Sequence, residues 1–247
     1  MRVKGRRRKA SQVARLKPFW IPIALVTALV LAALSVGGTW SGFNPTQVAV
    51  SGNHRVSSAE ILRSAEIPSH VSIWLQNTGA IAKRIAAIPY IGAVRVHRVP
   101  PSAIRIVVVE RVPFAILRSD AGDAVVDRDL RVLESATGDE TLPVLVVESS
   151  ADDPPGAYIR TRDTIELRDA YEAIAAKRIV PLELHLDRFG GLVVTIQGGL
   201  QLLLGTQNDL GQKLTLADAI LSQVVTHGRR VAAIDLRAPG APVLVYR

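Results

Sequence analysis

The 247-residue chain has no cysteine. That excludes disulfides and thiolate metal sites, so any exported part must be held by its own core. Aromatic residues are scarce at 4%, three Trp, four Tyr and four Phe, and they are scattered. They form no stacking platform for bases or sugars. The five histidines, His54, His70, His97, His185 and His227, include no pair at metal-ligand spacing. Gly-x-Ser-x-Gly is absent. Gly205, Gly211 and Lys213 imitate a phosphate-binding loop, but the spacing is wrong and Gln212 separates glycine from lysine. Asp127 and Asp129 stand close together as a carboxylate pair would, yet they flank a hairpin turn, where Asp serves local backbone bonding. No catalytic residue, metal or cofactor is expected.

Acids are also missing from residues 1–18, which carry eight Lys and Arg. The chain holds 30 Lys+Arg and 22 Asp+Glu, a formal net charge of +8. The excess therefore belongs to this tail alone, and no nucleic-acid partner is expected. No charge of either sign occurs from Phe19 to Trp40, FWIPIALVTALVLAALSVGGTW. As a helix this run is roughly 33 Å long, enough for a bilayer core of about 30 Å. Trp20 and Trp40 lie near its ends as interfacial aromatics do, and Pro22 falls in the expected first turn, where a missing N–H costs little. The far flank, Ser41 to Asn53, is uncharged. Cations stay on the cytoplasmic side, so the predicted topology is a basic tail inside (1–18), one transmembrane helix (19–40) and the remainder outside. A cleaved signal peptide is the competing reading, with Ala32, Ala33, Ser35 and Gly37 as small residues; its apolar core would be shorter. An exported, cysteine-free body of this kind fits a bacterial envelope protein.

Beyond the span, Gln47–Ser51 reads as a strand stopped by Gly52-Asn53. Ser57 and Glu60 have capping-box spacing, with Ile61, Leu62 and Ala65 as the buried stripe and Pro68 as the stop. A second helix places Ile81, Ile85 and Ile88 inside and Lys83 and Arg84 outside, ended by Pro89. Val94 and Val96 oppose Arg95 and His97 on a strand, Pro100-Pro101-Ser102 turns, and Ile104–Val109 returns. The order β-α-α-β-β puts two helices on one face of a three-stranded sheet.

The second segment reads as strands at 114–117, 124–127, 130–133 and 142–147, then a polar, proline-rich loop at 148–157. Asp163 and Glu166 suggest a helix cap, with Leu167, Tyr171 and Ile174 inside. Leu182, Leu184 and Leu186 alternate as a strand. Gly190-Gly191 and Gly198-Gly199 turn hairpins around strands 192–196 and 200–204. Leu210, Leu214, Ala217, Leu221 and Val224 mark a long helix stopped at Gly228. Strands 231–236 and 243–246 finish the chain. The expected class is α+β: a small β-α-α-β-β domain (44–112) and a mainly antiparallel β domain (113–247) with helices on one face. Pro242-Val-Leu-Val-Tyr246 is apolar on both faces. At a sheet edge it would be a template for a partner's strand; in a sheet centre it would be an ordinary buried strand, and the residues alone leave both open.

Several stretches resemble a known family. Val48-Ala-Val-Ser-Gly-Asn-His-Arg-Val56 with Ser-Ser-Ala-Glu-Ile61 resembles the opening of a POTRA domain, and Ile88 to Pro100 its second helix and second strand. Val109-Glu-Arg-Val-Pro-Phe-Ala115 resembles the exit strand of the FtsQ/DivIB bacterial cell-division family. That family's layout is a basic tail, one membrane helix, a POTRA domain and a β domain. The resemblance implies a non-enzymatic divisome scaffold, enriched at the septum in the inner or plasma membrane. It would capture an FtsB/FtsL-like pair by β-strand addition and link to the septal peptidoglycan synthase. Carried over by position, the partner site is Ala238, Pro239, Gly240, Ala241, Val243, Leu244, Val245 and Tyr246, flanked by Arg188. Pro239 and Pro242 each remove a donor there. The alternative is a membrane-tethered cell-envelope enzyme, which needs a nucleophile or acid–base pair the sequence does not offer. An outer-membrane assembly protein would need many barrel strands after the POTRA domain.

Overall fold

The computed structural model describes residues 17–138, 141–148, 153–227 and 231–246. Helix α1 (Lys17–Thr39) begins earlier than the apolar run, which moves Pro22 from the expected first turn into the second. There its missing N–H leaves the carbonyl of residue 18 without its helical donor. The described side chains of α1, at 20–33, 35 and 36, are exposed all round. Among the described residues no helix is long and apolar enough to cross a membrane; the side chains at 19, 34 and 37–39 of the expected span lie outside them.

After a 3-10 turn at Ser41–Phe43 come β1 (Gln47–Ser51), α2 (Ser58–Ala65), α3 (Thr78–Ala86), β2 (Ile91–Val99) and β3 (Ala103–Glu110). β3 is central, parallel to β1 and antiparallel to β2. The two helices lie over it and bury Ile61, Ala65, Ile81 and Ile85 against Ile104, Ile106 and Val108. Two helical expectations need correction. Leu62 is exposed, because an eight-residue helix over a narrow sheet buries only a thin stripe. Ser57 caps α2 by accepting from Glu60 N–H at 3.2 Å; the helix stops when Glu66 turns left-handed, two residues before Pro68.

The Ser-Gly-Asn motif and the Val-Glu-Arg motif meet in space. Gly52 has φ +86°, and a Cβ there would lie 2.1 Å from the Val108 carbonyl, so only glycine fits. Asn53 ties the following loop to the Val56 carbonyl at 2.9 Å. The Glu110 carboxylate accepts the N–H groups of His54, Arg55 and Val56, each at 2.9 Å.

The second segment forms a nine-stranded sheet, ordered β12-β11-β10-β9-β8-β7-β4-β5-β6. Its strands are β4 (Ala115–Ser119), β5 (Gly122–Val126), β6 (Val132–Ser135), β7 (Val144–Val146), β8 (Pro181–Leu186), β9 (Leu192–Ile196), β10 (Leu200–Gly205), β11 (Val231–Asp235) and β12 (Val243–Tyr246). Five of its eight pairings are antiparallel, and β4–β7, β7–β8 and β10–β11 are parallel. Parallel neighbours need a crossover, which is why helices interrupt this part: α4 (Arg162–Ala175) joins β7 to β8, and α5 (Leu210–His227) joins β10 to β11. Both pack on one core with Leu117, Leu145, Leu184, Val194 and Leu202.

α4 is capped by Thr161, which accepts from Thr164 N–H at 3.2 Å in a reciprocal box, instead of by Asp163. Leu182 faces solvent because a bulge between Pro181 and Glu183 breaks the alternation. The side chain of Val224 and the whole of Gly228 at the expected α5 end, and residues 149–152 of the proline-rich loop, lie outside what is described. The first sheet's core continues onto this one, taking in Val125 and Leu133.

Candidate partner-binding edge

β12 is the last strand of the nine and pairs with β11 alone among the described strands. Leu244 turns inward and packs against the core. Val243 and Val245 point the other way and are 55% and 47% exposed. Edge strands are normally blunted by shortness, Lys, proline or a bulge; β12 is four residues long and its pairing with β11 shifts register between Val231 and Ala233. Here no charged residue and no proline lies within β12, so each of its residues has a backbone donor.

The two prolines stand just outside. Ala241 N–H donates to the Ala238 carbonyl at 3.0 Å, closing a β-turn with Pro239 and Gly240 at its centre, where proline supplies the required φ. Pro242 precedes the first β12 residue. Neither proline takes a donor from the strand. The turn is held at its root by Arg237, whose Nε donates to both Asp235 oxygens at 3.0 Å. That bond holds the Asp235 carboxyl below its ordinary range and raises the guanidinium.

Registers place the other candidate. Leu186 pairs with Leu192, Gly205 with Leu192, Leu203 with Asp235, and Asp235 with Val243. The β8–β9 hairpin tip therefore lies at the same end of the sheet as the Ala238–Ala241 turn. Arg188 sits on that tip with its guanidinium 4.7 Å from the Phe189 ring. It is several strands in from the edge, on the order of 15 Å at about 4.8 Å per strand. The structure thus gathers Ala238, Pro239, Gly240, Ala241 and Val243–Tyr246 along one edge and leaves Arg188 beside their end. Asp187 holds the tip by accepting Phe189 N–H and Gly191 N–H, each at 2.8 Å. Those bonds lower its pKa, with a smaller contribution from the Arg237 charge.

Phe189 was not among the expected residues. It is 81% exposed, and the available signal was a large aromatic placed next to a Gly-Gly turn. The seam between the two sheets was missed as well. Arg111 pairs with Asp127, and reaches Asp129 at 3.1 Å and the Tyr158 hydroxyl at 3.2 Å. Asp127 also accepts Arg131 N–H at 2.9 Å, the turn role expected of it. Lys213, from the imitation phosphate loop, is buried and donates to the carbonyls of Leu204 and Thr206 at 2.7 and 2.6 Å. It ties α5 to the end of β10. Among the described residues no cluster of His, Cys, Asp and Glu could hold a metal ion.

Residues 43–111 match the model of the POTRA domain, FtsQ-type, and residues 115–237 that of the cell division protein FtsQ/DivIB, C-terminal. Similar proteins include Cell division protein FtsQ of Mycobacteroides abscessus, 25% identical over 89% of this chain and 69% of that one. FtsQ of Mycobacterium tuberculosis is 25% identical over 90% of this chain and 68% of that one. FtsQ of Agrobacterium fabrum is 25% identical over 87% of this chain and 68% of that one. The two matched domains cover most of the chain and follow each other in the order of the two sheets described above, and the chain belongs to the FtsQ/DivIB family of cell-division proteins.

Proposed function

We propose that this protein is a non-enzymatic divisome scaffold that captures a division partner by strand addition on β12. The observation that carries the reading is a terminal, uncharged, proline-free strand with two outward valines exposed. Its backbone can pair with an extended segment, and Val243 and Val245 offer the apolar contacts that make such pairing selective. By family resemblance the partner is an FtsB/FtsL-like pair, which links the scaffold to the septal peptidoglycan synthase. Ala238–Ala241 frame one end of the docked segment, with Arg188 several strands behind it on the β8–β9 tip.

The protein is held in the inner or plasma membrane by α1, N-terminus in the cytoplasm, with a POTRA domain at 44–112 and a β domain at 113–247. Support comes from the uncharged 22-residue run and from the exposed apolar surface around α1. Thr27 and Ser35 return their hydroxyl protons to the carbonyls of Ile23 and Leu31 at 2.8 and 2.7 Å, which removes two polar costs in lipid.

The test is co-purification of the full chain with co-expressed FtsB/FtsL-like proteins. Replacing both exposed side chains, Val243→Lys with Val245→Lys, should weaken capture by about tenfold or more, roughly 1.4 kcal/mol, with circular dichroism and thermal melting unchanged, because neither side chain is in the core. Undiminished capture by that variant would remove strand addition from the account.

A further inference from the structure

We propose that the Ser72–Gln76 loop of the POTRA domain docks on the bilayer, seating Trp74 and Leu75 in the interface of an anionic phospholipid leaflet. This rests on the reading that α1 spans the membrane. The loop shows two large apolar side chains to the outside, Trp74 at 49% and Leu75 at 61% exposure. Its own polar groups are turned inward. Ser72 and Gln76 are buried, and Gln76 donates to the carbonyls of Pro68 and Val71 at 2.8 and 3.0 Å. Arg98 donates to the carbonyls of Ile73 and Gln76 at 2.6 and 2.7 Å, and Ile73 is fully buried. The tip is therefore fixed in a conformation that keeps Trp and Leu in solvent, a cost that a lipid interface relieves.

Position points to the bilayer in preference to a protein. Ile73 N–H donates to the Phe43 carbonyl at 2.8 Å, tying the loop to the chain four residues beyond the end of α1. The rings continue the connection: Trp40 meets Phe43 edge-on at 5.4 Å, and Phe43 meets Trp74 at 6.4 Å. The headgroup region adds on the order of 5–7 Å to each side of the hydrocarbon core. A tip joined this closely to the helix end lies within or beside that layer.

Charge agrees. Residues 44–112 hold eight Lys and Arg against three Asp and Glu, whereas residues 113–247 hold fourteen against nineteen. The membrane-proximal domain is cationic and the distal one acidic, although together they are neutral. Gln47 pairs with Ala103, and Ala103 with Val99, which sets the end of the small sheet at which the chain arrives from α1. Arg98 and Arg105 lie within two residues of that end and are exposed. Cations there meet anionic headgroups favourably.

The experiment uses the full chain in phosphatidylcholine–phosphatidylglycerol vesicles, with and without brominated acyl chains. The variant W20F/W40F leaves Trp74 as the sole tryptophan and keeps an aromatic ring at position 40; W40F/W74F leaves Trp20 inside α1. Brominated lipid should cut Trp74 emission by about half, with little quenching by aqueous iodide. Quenching of Trp74 by iodide and not by brominated lipid overturns the docking. Shielding from both quenchers overturns it in favour of a second copy of this chain covering the loop. If Trp20 is quenched by brominated lipid in those cases, the membrane reading of α1 survives the loss of the docking. If Trp20 and Trp74 both escape the brominated lipid, the two fall together.

Discussion

Arg111→Ala tests whether the seam between the two sheets is held by one buried ion pair. Arg111 leaves β3 and reaches across to Asp127 at the end of β5. The side chains are 13% and 6% exposed, so both charges have lost most of their water. Removing the arginine leaves the Asp127 carboxylate buried and short of its main partner. Breaking one side of a buried pair costs about 3–5 kcal/mol. The lower end is expected here, because Asp127 still accepts Arg131 N–H. Asp129, 63% exposed, is a control: Asp129→Ala should cost under about 1 kcal/mol. Urea denaturation of the wild type, the two single variants Arg111→Ala and Asp127→Ala, and the double variant gives the coupling energy. The double variant should be less destabilised than the sum of the singles. A cost below about 1 kcal/mol for Arg111→Ala, with no coupling, would mean that the Arg131 N–H alone satisfies Asp127 and that the cross-sheet pair is incidental.

Two more outcomes follow from the same region. Glu110→Gln should destabilise the POTRA domain by roughly 1–3 kcal/mol, since charge-assisted bonds to three backbone N–H groups weaken together. Burial pushes the Glu110 pKa up, but bonds from Arg55, Val56 and His54 outweigh it and hold the carboxyl below its ordinary 4.5. Its contribution is thus complete above that value and lost as pH falls through the lower folded value; an acid titration in which the Glu110→Gln variant and the wild type lose stability in parallel would refute it. Tyr90 is pushed up to about 12, first by burial and then by donating to the Glu134 carboxylate. A phenol raised above 10 stabilises the fold below pH 10 and ceases to as pH climbs toward 12. Ultraviolet titration should show one tyrosine ionising late, and Tyr90→Phe should remove that step; ionisation of all four near pH 10 would contradict the buried hydrogen bond.

Local chemistry carried much of the reading. The strand Gln47–Ser51, the cap at Ser57, the buried isoleucines of α3 and the glycine turns at 190 and 198 each depend on residues within one or two turns of each other. Periodicity, capping and φ preference act over that range, so the sequence alone determines them. It likewise determined the charge-free run from Phe19 to Trp40 and the basic tail before it. What depended on neighbours far along the chain was not legible. Leu62 reads as part of a buried stripe and Leu182 as in step with Leu184, yet both are exposed, because the width of a sheet and the position of a bulge decide burial. Thr161 displaced Asp163 as the cap because the chain enters α4 earlier than the acidic pair suggests. Asp127 read as a turn residue and is one, but its second role needed Arg111 brought from another sheet. Val243–Tyr246 would have the same sequence in the middle of a sheet or at its border. Strand order is set by which long-range pairings close, through the crossovers of α4 and α5, and only that assembly puts β12 at the edge with β11 on one side.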